Sequence, residues 1–221
     1  MSQCLLCMEE LVQPFRFTKL FLMEEEPDGV CSACLEPFRI LKEPLCPFCH
    51  KEDQDGPCSD CLKWQEAGHE PHHHALYRYN QAMKEFFLTF KKNGDYLLAG
   101  VFSQQFKRAL STYQGWTLVP IPVSPSRYES RGFNQVTALL DAAGLPYLDL
   151  LEKAEAQTQS QKSRQERLAG QQVFSVRAGL SLPQKVLLVD DIYTTGATLH
   201  LAYELLREAG VGEIRSWSLA R

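Results

Sequence analysis

The sequence lacks a long hydrophobic run and lacks a strong excess of charge, and both absences narrow its function. No stretch of the 221 residues approaches the roughly 18 uncharged apolar residues of a membrane span, so we expect no membrane span. The first residues, Met1-Ser2-Gln3-Cys4, do not contain the basic segment of an export signal, which predicts a cytoplasmic protein. A formal net charge of −4 excludes a protein that coats duplex DNA by charge alone.

Cysteine is absent after residue 61, and two common nucleotide-binding motifs, GxxxxGKS/T and GxGxxG, are absent throughout. The first 70 residues carry all eight cysteines and hold 14 acidic against 6 basic residues, whereas the remainder holds 13 acidic and 17 basic residues. This change in composition predicts two domains, a small cysteine-rich module over residues 1–70 and a larger domain over residues 71–221.

The cysteines form four CxxC pairs with none left over. Two residues between thiols allow one tight turn to direct both sulfurs at a single ion, and two such turns complete a tetrahedral Cys4 shell. A single pair is also compatible with redox activity or with buried thiols, but four pairs favour metal. We therefore predict two structural zinc sites. Their predicted ligands are Cys4, Cys7, Cys31, Cys34, Cys46, Cys49, Cys58 and Cys61.

The spacing leaves open which pairs share an ion. Sequential sharing, in which the first pair joins the second and the third joins the fourth, gives a double zinc ribbon, and crossed sharing gives an interleaved module; we favour the sequential arrangement. Closed Cys4 shells leave no position for a substrate, so the expected role is structural. The three histidines at 72–74, together with His50 and His69, are interpreted as parts of a solvated connection and not as ligands.

After residue 75, strand and helix signals alternate, which is typical of an α/β fold with a parallel sheet. The run 186–189 is apolar at four consecutive positions, as in a parallel strand that is covered on both faces. The other predicted strands are 117–121 and 214–219. The predicted helices are 82–92, a second amphipathic stretch over 97–110, and 198–208.

The segment VLLVDDIYTTGAT at 186–198 places two carboxylates, Asp190 and Asp191, at the end of a strand and a Thr/Gly loop before a helix. Unpaired amides and the positive dipole end of a helix bind phosphate, whereas carboxylates suit ribose hydroxyls or a hydrated Mg²⁺ ion. Aspartates that merely cap a strand are the structural alternative. The predicted phosphate-binding residues are Thr194, Thr195, Gly196, Ala197 and Thr198.

A second polar segment follows the predicted strand 117–121 and ends in the sequence RGFNQ at 131–135. The planar guanidinium groups of Arg127 and Arg131 are suited to bind a pyrophosphate in a bidentate manner. Two solvent-exposed arginines at the start of a helix are the alternative. Ser124, which precedes both arginines, is included among the predicted ligand-binding residues.

The segment 186–198 resembles the signature of the type I phosphoribosyltransferases, with Tyr193 where an aliphatic residue is usual. The resemblance implies that Asp190 and Asp191 contact the ribose of phosphoribosyl pyrophosphate, that the loop binds the 5′-phosphate, and that Mg²⁺ accompanies the ligand. The implied fold is an α/β, type I phosphoribosyltransferase-like domain with a parallel twisted sheet, preceded by the Cys4-type double zinc ribbon.

The CxxC module, RGFNQ and VDDIYTTGAT together resemble the competence protein F family of naturally transformable bacteria over the whole chain. This resemblance implies a late competence protein that handles incoming single-stranded DNA during transformation. It also implies partners such as the DNA-import helicase and other competence proteins. Two further functions stay open: an active phosphoribosyltransferase on an unidentified acceptor, and a non-catalytic phosphoribosyl pyrophosphate sensor that docks other proteins.

Residues 152–172 are polar and rich in Gln and Ser, which predicts either a lid over the pyrophosphate or a disordered connection. The basic residues of such a lid are Lys162, Arg164 and Arg167. Several aromatic residues near lysines are of a type that stacks on single-stranded bases, but their helical spacing favours a place in the core. They are Phe86, Phe87, Phe90 and Tyr96.

Overall fold

The computed structural model describes residues 3–11, 29–92, 94–154 and 173–221. The described part of the cysteine-rich region contains two short helices, α1 (Ser32–Leu35) and α2 (Ser59–Glu66). Each helix begins directly after a cysteine, Cys31 or Cys58, which occupies the N-cap position in an extended conformation. The remaining strands and helices follow from residue 73 onward.

A parallel sheet of four strands forms the centre of the larger region, as predicted. The strands in chain order are β1 (His73–Tyr77), β2 (Thr117–Pro120), β3 (Leu151–Lys153), β4 (Phe174–Val176), β5 (Lys185–Ile192) and β6 (Glu213–Ala220). The parallel sheet has the order β1-β6-β5-β2, and β3 pairs with β4 in an antiparallel manner. The carboxyl ends of parallel strands meet at one edge, where α/β proteins commonly bind ligands.

Helices cover both faces of this sheet. They are α3 (Gln81–Lys92), a 3-10 helix (Tyr96–Phe102), α4 (Ser103–Leu110), α5 (Pro125–Arg131), α6 (Gln135–Ala142) and α7 (Ala197–Glu208). Leu187 and Val189 of β5 pack with α3, α4 and α6, whereas Val186 and Leu188 pack with α7, β3 and β4. The alternation confirms the prediction of a strand covered on both faces. Among the helices of the described ranges, none is sufficiently long and apolar to cross a lipid bilayer.

The aromatic residues of α3 lie in the core, as their spacing predicted. Phe86, Phe87 and Phe90 are buried, and only Tyr96, of the four aromatics considered, is substantially exposed. A base cannot stack on a ring that is already enclosed by other side chains. The second predicted amphipathic helix begins as the 3-10 helix and becomes α-helical only at Ser103.

The interpretation of the histidines at 69 and 72–74 as a solvated connection is wrong for two of them. His73 lies in β1 and is buried, with its Nδ1 3.0 Å from Ser216 Oγ and its Nε2 3.0 Å from Ser218 Oγ. His69 is also buried. The buried position in β1 is a polar histidine that forms hydrogen bonds with serine hydroxyls of β6. The strand therefore lacks the alternation of apolar residues that would have indicated it in the sequence.

Candidate functional site

The predicted phosphate loop, residues 194–198, lies between the end of β5 and the start of α7. Gly196 is the N-cap of α7 and has a φ of 83°, in the left-handed region that favours glycine. The Thr195 hydroxyl accepts a bond from the Ala197 N–H at 3.4 Å. A helix of 12 residues directs its first amides and the positive end of its dipole toward this loop, which suits an anion.

Tyr193 stands where the phosphoribosyltransferase signature usually has an aliphatic residue, and its side chain packs against the loop at Gly196. Its ring lies 4.1 Å from the His73 ring, and the Arg221 guanidinium lies over it at 4.5 Å. A Cβ atom at Gly196 would overlap the Tyr193 hydroxyl. Glycine is therefore required at 196 both by its backbone conformation and by the packing of Tyr193.

The acidic pair lies at the carboxyl edge of β5, and both side chains are buried. Because successive strand residues face opposite sides of a sheet, the two carboxylates have different neighbours. Lys91, at the end of α3, places its Nζ 2.5 Å from Asp191 Oδ2. The Asp191 N–H donates to Asp190 Oδ1 at 2.8 Å. Burial, reinforced by the charge of Asp191, raises the pKa of Asp190 to about 8.

The raised pKa of Asp190 predicts a pH-dependent stability. Its carboxyl ionises near 3.8 in a solvated chain and near 8 in the folded protein, so the folded state is increasingly penalised as the pH rises between these values. Asp190→Asn removes this penalty. We expect the variant to exceed the parent in free energy of unfolding by at least about 1 kcal/mol at pH 8 without divalent ions, and by less at pH 5. Denaturant titrations across this range measure the difference.

The matched control for this prediction is Asp191→Asn. This change leaves the partly buried Lys91 ammonium without its carboxylate, so it should destabilise the protein, opposite in sign to Asp190→Asn. Parallel stability curves for the parent and Asp190→Asn from pH 5 to pH 8 would contradict the electrostatic account of Asp190.

Besides Lys91, three cations lie in this region, and neither Lys91 nor Lys153 was predicted as a site residue. Arg127 and Arg131 belong to α5, and Lys153 belongs to β3. Burial lowers the pKa of Lys153, the Arg127 guanidinium lowers it further, and the Asp190 carboxylate opposes both. Asp191 likewise opposes the lowering that burial causes in the pKa of Arg131. The structure therefore brings Arg131 and Lys153 to the carboxylates, and it places Arg127 near both of these cations.

The RGFNQ segment has a structural role as well as a charge. The Arg131 Nε donates to the Lys91 carbonyl at 3.1 Å, and its Nη1 donates to Gln135 Oε1. Asn134 caps α6 by accepting from the Val136 N–H, and it donates to the Ile121 carbonyl at 3.0 Å. These contacts hold Arg131 at the end of β2 and leave part of its guanidinium available to a ligand.

Ser124 is the N-cap of α5 and is buried, with its hydroxyl 3.3 Å from that of Ser126. The lid residues Lys162, Arg164 and Arg167 lie outside the described residues. The strands β3 and β4 flank that part of the chain and pair with each other, so residues 152 and 153 belong to a strand.

A cavity of about 690 Å³ adjoins Arg131. Aromatic side chains line it, namely Tyr96, Tyr128, Phe133 and Tyr147. Tyr128 and Tyr96 are 53% and 46% exposed, so their rings are accessible from outside. No motif in the sequence indicated this cavity, because its walls come from separate segments between Gly94 and Arg177.

The cysteines form two clusters. The first and second CxxC pairs form one cluster and the third and fourth pairs form the other, which is the sequential arrangement favoured from the sequence. In each cluster the four sulfurs lie within 4.8 Å of one another. The first cluster consists of Cys4, Cys7, Cys31 and Cys34; the second consists of Cys46, Cys49, Cys58 and Cys61. The first packs on the core that includes α3, and the second packs on the core that includes α7.

The chemistry of both clusters fits zinc. Burial and the neighbouring thiols raise the pKa of Cys34 to about 12, because several thiolates repel one another at this distance. Burial also favours a higher pKa for Cys4, but hydrogen bonds from backbone N–H groups together have the larger effect and lower this pKa to about 6. Four convergent sulfurs, some accepting backbone N–H bonds, are the ligand set of a structural zinc ion. Each cluster could hold one Zn²⁺ ion as part of a zinc ribbon.

The second cysteine cluster is connected to the phosphate loop by two direct contacts that the sequence did not indicate. The Trp64 indole N–H, from α2, donates to the Thr195 carbonyl at 2.9 Å. Arg221 donates through Nη1 to the Thr194 carbonyl at 3.0 Å and through Nη2 to Cys49 Sγ at 2.8 Å. The backbone of the loop is therefore held from the side of the cysteine cluster.

Trp64→Phe is expected to loosen the phosphate loop without emptying the second cysteine cluster. The change keeps a ring in place but removes the N–H that holds Thr195, at a cost of about 0.5–1.5 kcal/mol. Hydrogen exchange of the amides at 195–197 should become faster, and the zinc content should stay constant. Trp116→Phe is the control, since Trp116 contacts the cations Lys185 and Arg215 instead. Equal exchange in both variants would contradict this role of Trp64.

Comparisons with known proteins agree with this geometry. Residues 129–221 match the family model described as a phosphoribosyl transferase domain. The chain is 43% identical over 219 residues to competence protein ComFC of Streptococcus pneumoniae, covering 99% of this chain and 100% of that protein. It is 32% identical over 227 residues to competence protein ComFC of Bacillus subtilis, covering 99% and 94%. With competence protein F of Haemophilus influenzae the identity is 34% over 113 residues, covering 47% and 49%.

Two solved structures are also similar. One is an allosteric regulatory enzyme of purine biosynthesis, with 22% identity, a TM-score of 0.34, and coverage of 52% of this chain and 24% of that one. The other is a hypoxanthine phosphoribosyltransferase from Staphylococcus aureus, with 19% identity, a TM-score of 0.32, and coverage of 59% and 65%. The family model and the parallel sheet of four strands confirm the predicted phosphoribosyltransferase-type fold.

Proposed function

Because the chain belongs to the ComFC family of competence proteins, we propose that it handles incoming single-stranded DNA during natural transformation and does so with a domain that binds phosphoribosyl pyrophosphate. Its role in competence follows from the family. The single observation that supports the ligand is the convergence of a phosphate loop, two buried carboxylates and several cations at one edge of the sheet.

The loop and the carboxylates suit the two ends of a phosphorylated ribose. In this proposal the 5′-phosphate accepts bonds from the first amides of α7 and from the hydroxyls of Thr194, Thr195 and Thr198, with Gly196 and Ala197 in contact. Asp190 and Asp191 accept bonds from the two ribose hydroxyls. Bound Mg²⁺ would neutralise part of the pyrophosphate charge, and the carboxylates with the ligand's oxygens are the donors it prefers.

The cations suit the pyrophosphate. Arg131 on α5 interacts with Asp191, Lys153 on β3 interacts with Asp190, and Arg127 lies near both cations. Ser124 adds a hydroxyl at the start of α5. We keep Lys162, Arg164 and Arg167 as proposed lid residues that cover the pyrophosphate and exclude water.

We further propose that single-stranded DNA contacts the aromatic cavity beside Arg131. Exposed Tyr96 and Tyr128 are able to stack on bases. The walls also carry two arginines, Arg131 and Arg177, together with two aspartates, Asp141 and Asp149. This location replaces the buried phenylalanines of α3 as the proposed stacking surface.

The cysteine-rich module, residues 1–70, has a different role in this proposal. It holds two structural zinc ions and serves as the docking surface for the DNA-import helicase and other competence proteins.

The same cavity supports a second candidate function, an active phosphoribosyltransferase with an unidentified acceptor. An acceptor held there would lie next to the proposed pyrophosphate site. Its nucleophile would form a bond to the anomeric carbon as the carbon–oxygen bond to pyrophosphate breaks, and pyrophosphate would leave with the bonding electrons. The third function, a sensor that binds phosphoribosyl pyrophosphate without turnover, needs no acceptor.

The experiment that tests the proposal is calorimetric titration of the intact protein with phosphoribosyl pyrophosphate and Mg²⁺, followed by titration with a single-stranded oligonucleotide at several salt concentrations. We expect one saturable ligand site per chain. We also expect oligonucleotide binding that weakens steeply with salt and weakens in Tyr128→Ala.

The outcomes separate the candidate functions. Pyrophosphate release on addition of DNA or a nucleobase would favour the transferase, and ligand binding without release or DNA binding would favour the sensor. A flat ligand titration would overturn the proposed phosphate site. Oligonucleotide binding that is insensitive to Tyr128→Ala would remove the aromatic cavity as the DNA surface.

A further inference from the structure

A group of metal-binding side chains lies outside both cysteine clusters. His69, in the connection after α2, meets His200 and Glu204, which are one turn apart on α7. Each residue offers one ligand atom, and the three atoms lie within 4.8 Å of one another. The two imidazole rings have their centroids 4.4 Å apart. The sequence analysis placed His69 in a solvated connection and not among the ligands. Its two neighbours in this group lie more than 130 positions away, so no local spacing links them.

One ring nitrogen in this group lacks a hydrogen-bond partner. His200 Nδ1 is buried and has no hydrogen-bond partner among the described residues. A buried nitrogen without a partner is uncommon in folded proteins and points to a bound water or ion. A small cavity of about 20 Å³, lined by His69, His200 and Trp64 among others, adjoins the two histidines and has room for one such species.

The surroundings suit a metal ion. Burial lowers the pKa of His69 to about 4 and also lowers that of His200, so both imidazoles are neutral and carry a free lone pair at neutral pH. Glu204 Oε2 accepts from Arg207 at 2.7 Å, and its other oxygen is free of that bond. A ligating carboxylate that is oriented by a second hydrogen bond is the usual arrangement around protein-bound metals.

We propose that His69, His200 and Glu204 form a third metal site, which binds Zn²⁺ or a similar divalent ion with two nitrogens and one oxygen. Zinc bonds of about 2.0–2.2 Å require donor atoms roughly 3.5 Å apart, so modest side-chain rotations close the shell. Three protein ligands leave the fourth position to water, unlike the closed cysteine clusters.

Such an ion would join two parts of the chain at the phosphate loop. His69 follows α2, whose Trp64 donates to Thr195, and the His200 N–H donates to the Gly196 carbonyl at 2.8 Å. The ion would therefore fix the first turn of α7 to the end of the cysteine-rich region. Because it has one ligand fewer than a Cys4 site, it should be lost first when a chelator is added.

The test is the metal content and spectrum of the intact protein after equilibration with Zn²⁺ or Co²⁺. We expect three zinc ions per chain, of which a moderate chelator removes one and leaves two. His69→Gln and His200→Gln should each bind two ions, both resistant to the chelator. With Co²⁺, the labile ion should lack the sulfur-to-metal charge-transfer absorption that thiolate ligands give to the other two.

Two further variants keep the test decisive. Glu204→Gln changes a partly exposed side chain of α7 to one of nearly the same shape, so the variant is expected to fold normally. It should bind the labile ion at least about tenfold more weakly, even if a histidine variant fails to fold. His72→Gln should retain three ions, since His72 is an exposed neighbour that lies 3.8 Å from Glu70. Binding of only two ions by the parent protein would overturn the proposal. Loss of the labile ion in His72→Gln, combined with its retention in His200→Gln, would also overturn it.

Discussion

Simultaneous replacement of Asp190 and Asp191 by asparagine should weaken binding of phosphoribosyl pyrophosphate with Mg²⁺ at least about 100-fold. Hydrogen bonds to a charged group contribute about 1.5–3 kcal/mol each, and the two carboxylates are proposed to accept the two ribose hydroxyls. The double variant also leaves Lys91 without its ion-pair partner at the edge of the site. Calorimetric titration against the parent protein measures the loss, at a pH above the Asp190 pKa of about 8 so that both carboxyl groups are ionised.

The control for this experiment is Asp53→Asn, which removes a carboxylate that is largely exposed and pairs with Arg78 at 3.7 Å. This variant should bind the ligand like the parent. Circular dichroism and zinc content show whether the double variant keeps its fold. Unchanged affinity in a correctly folded double variant would refute the assignment of the ribose to the acidic pair, whereas binding of inorganic phosphate could still persist at the loop.

The second large effect is expected from Cys58→Ser combined with Cys61→Ser. This pair of changes removes half of the ligands of the second cysteine cluster, and structural zinc supplies about 10–16 kcal/mol of apparent binding free energy in small zinc domains. We expect the loss of one zinc ion and unfolding of the region around α2. The phosphate loop should also loosen, because Trp64 and Arg221 hold its carbonyls from that cluster.

The matched variant is Cys4→Ser combined with Cys7→Ser in the first cluster. It should also lose one zinc ion, but the first cluster packs against the other core. Within the described part of the chain, the hydrogen bonds of its cysteines do not reach residues 193–196. Hydrogen exchange at 193–197 should therefore increase several-fold in the second-cluster variant only. Equal exchange in the two variants would show that the second cluster has no special connection to the loop.

Local patterns made the central elements predictable. Four apolar residues, two aspartates, a Thr/Gly loop and an amphipathic helix follow one another within 186–208, so β5, the loop and α7 need no distant information. The eight cysteines were predictable as ligands from the CxxC spacing, but that spacing left their pairing open. The structure groups them sequentially, as favoured.

Contacts between distant segments were not predictable. Trp64 and Thr195 are 131 positions apart, and Arg221 and Cys49 are 172 positions apart. Lys91 and Lys153 approach the acidic pair from α3 and β3, and neither lysine lies in a recognisable motif. The burial of His73 depends on Ser216 and Ser218 in β6, so its own surroundings in the sequence wrongly indicated a solvated position.

The amino-acid sequence by itself determined the residue types of the cysteine clusters and of the proposed phosphate loop, and it determined their order along the chain. Only the tertiary structure decided which cations neutralise Asp190 and Asp191, and which side chains support the phosphate loop from below. The physical reason is that spacing along the chain controls geometry over one turn of helix or one strand, whereas the partners of a buried charge are set by the packing of the sheet and its helices.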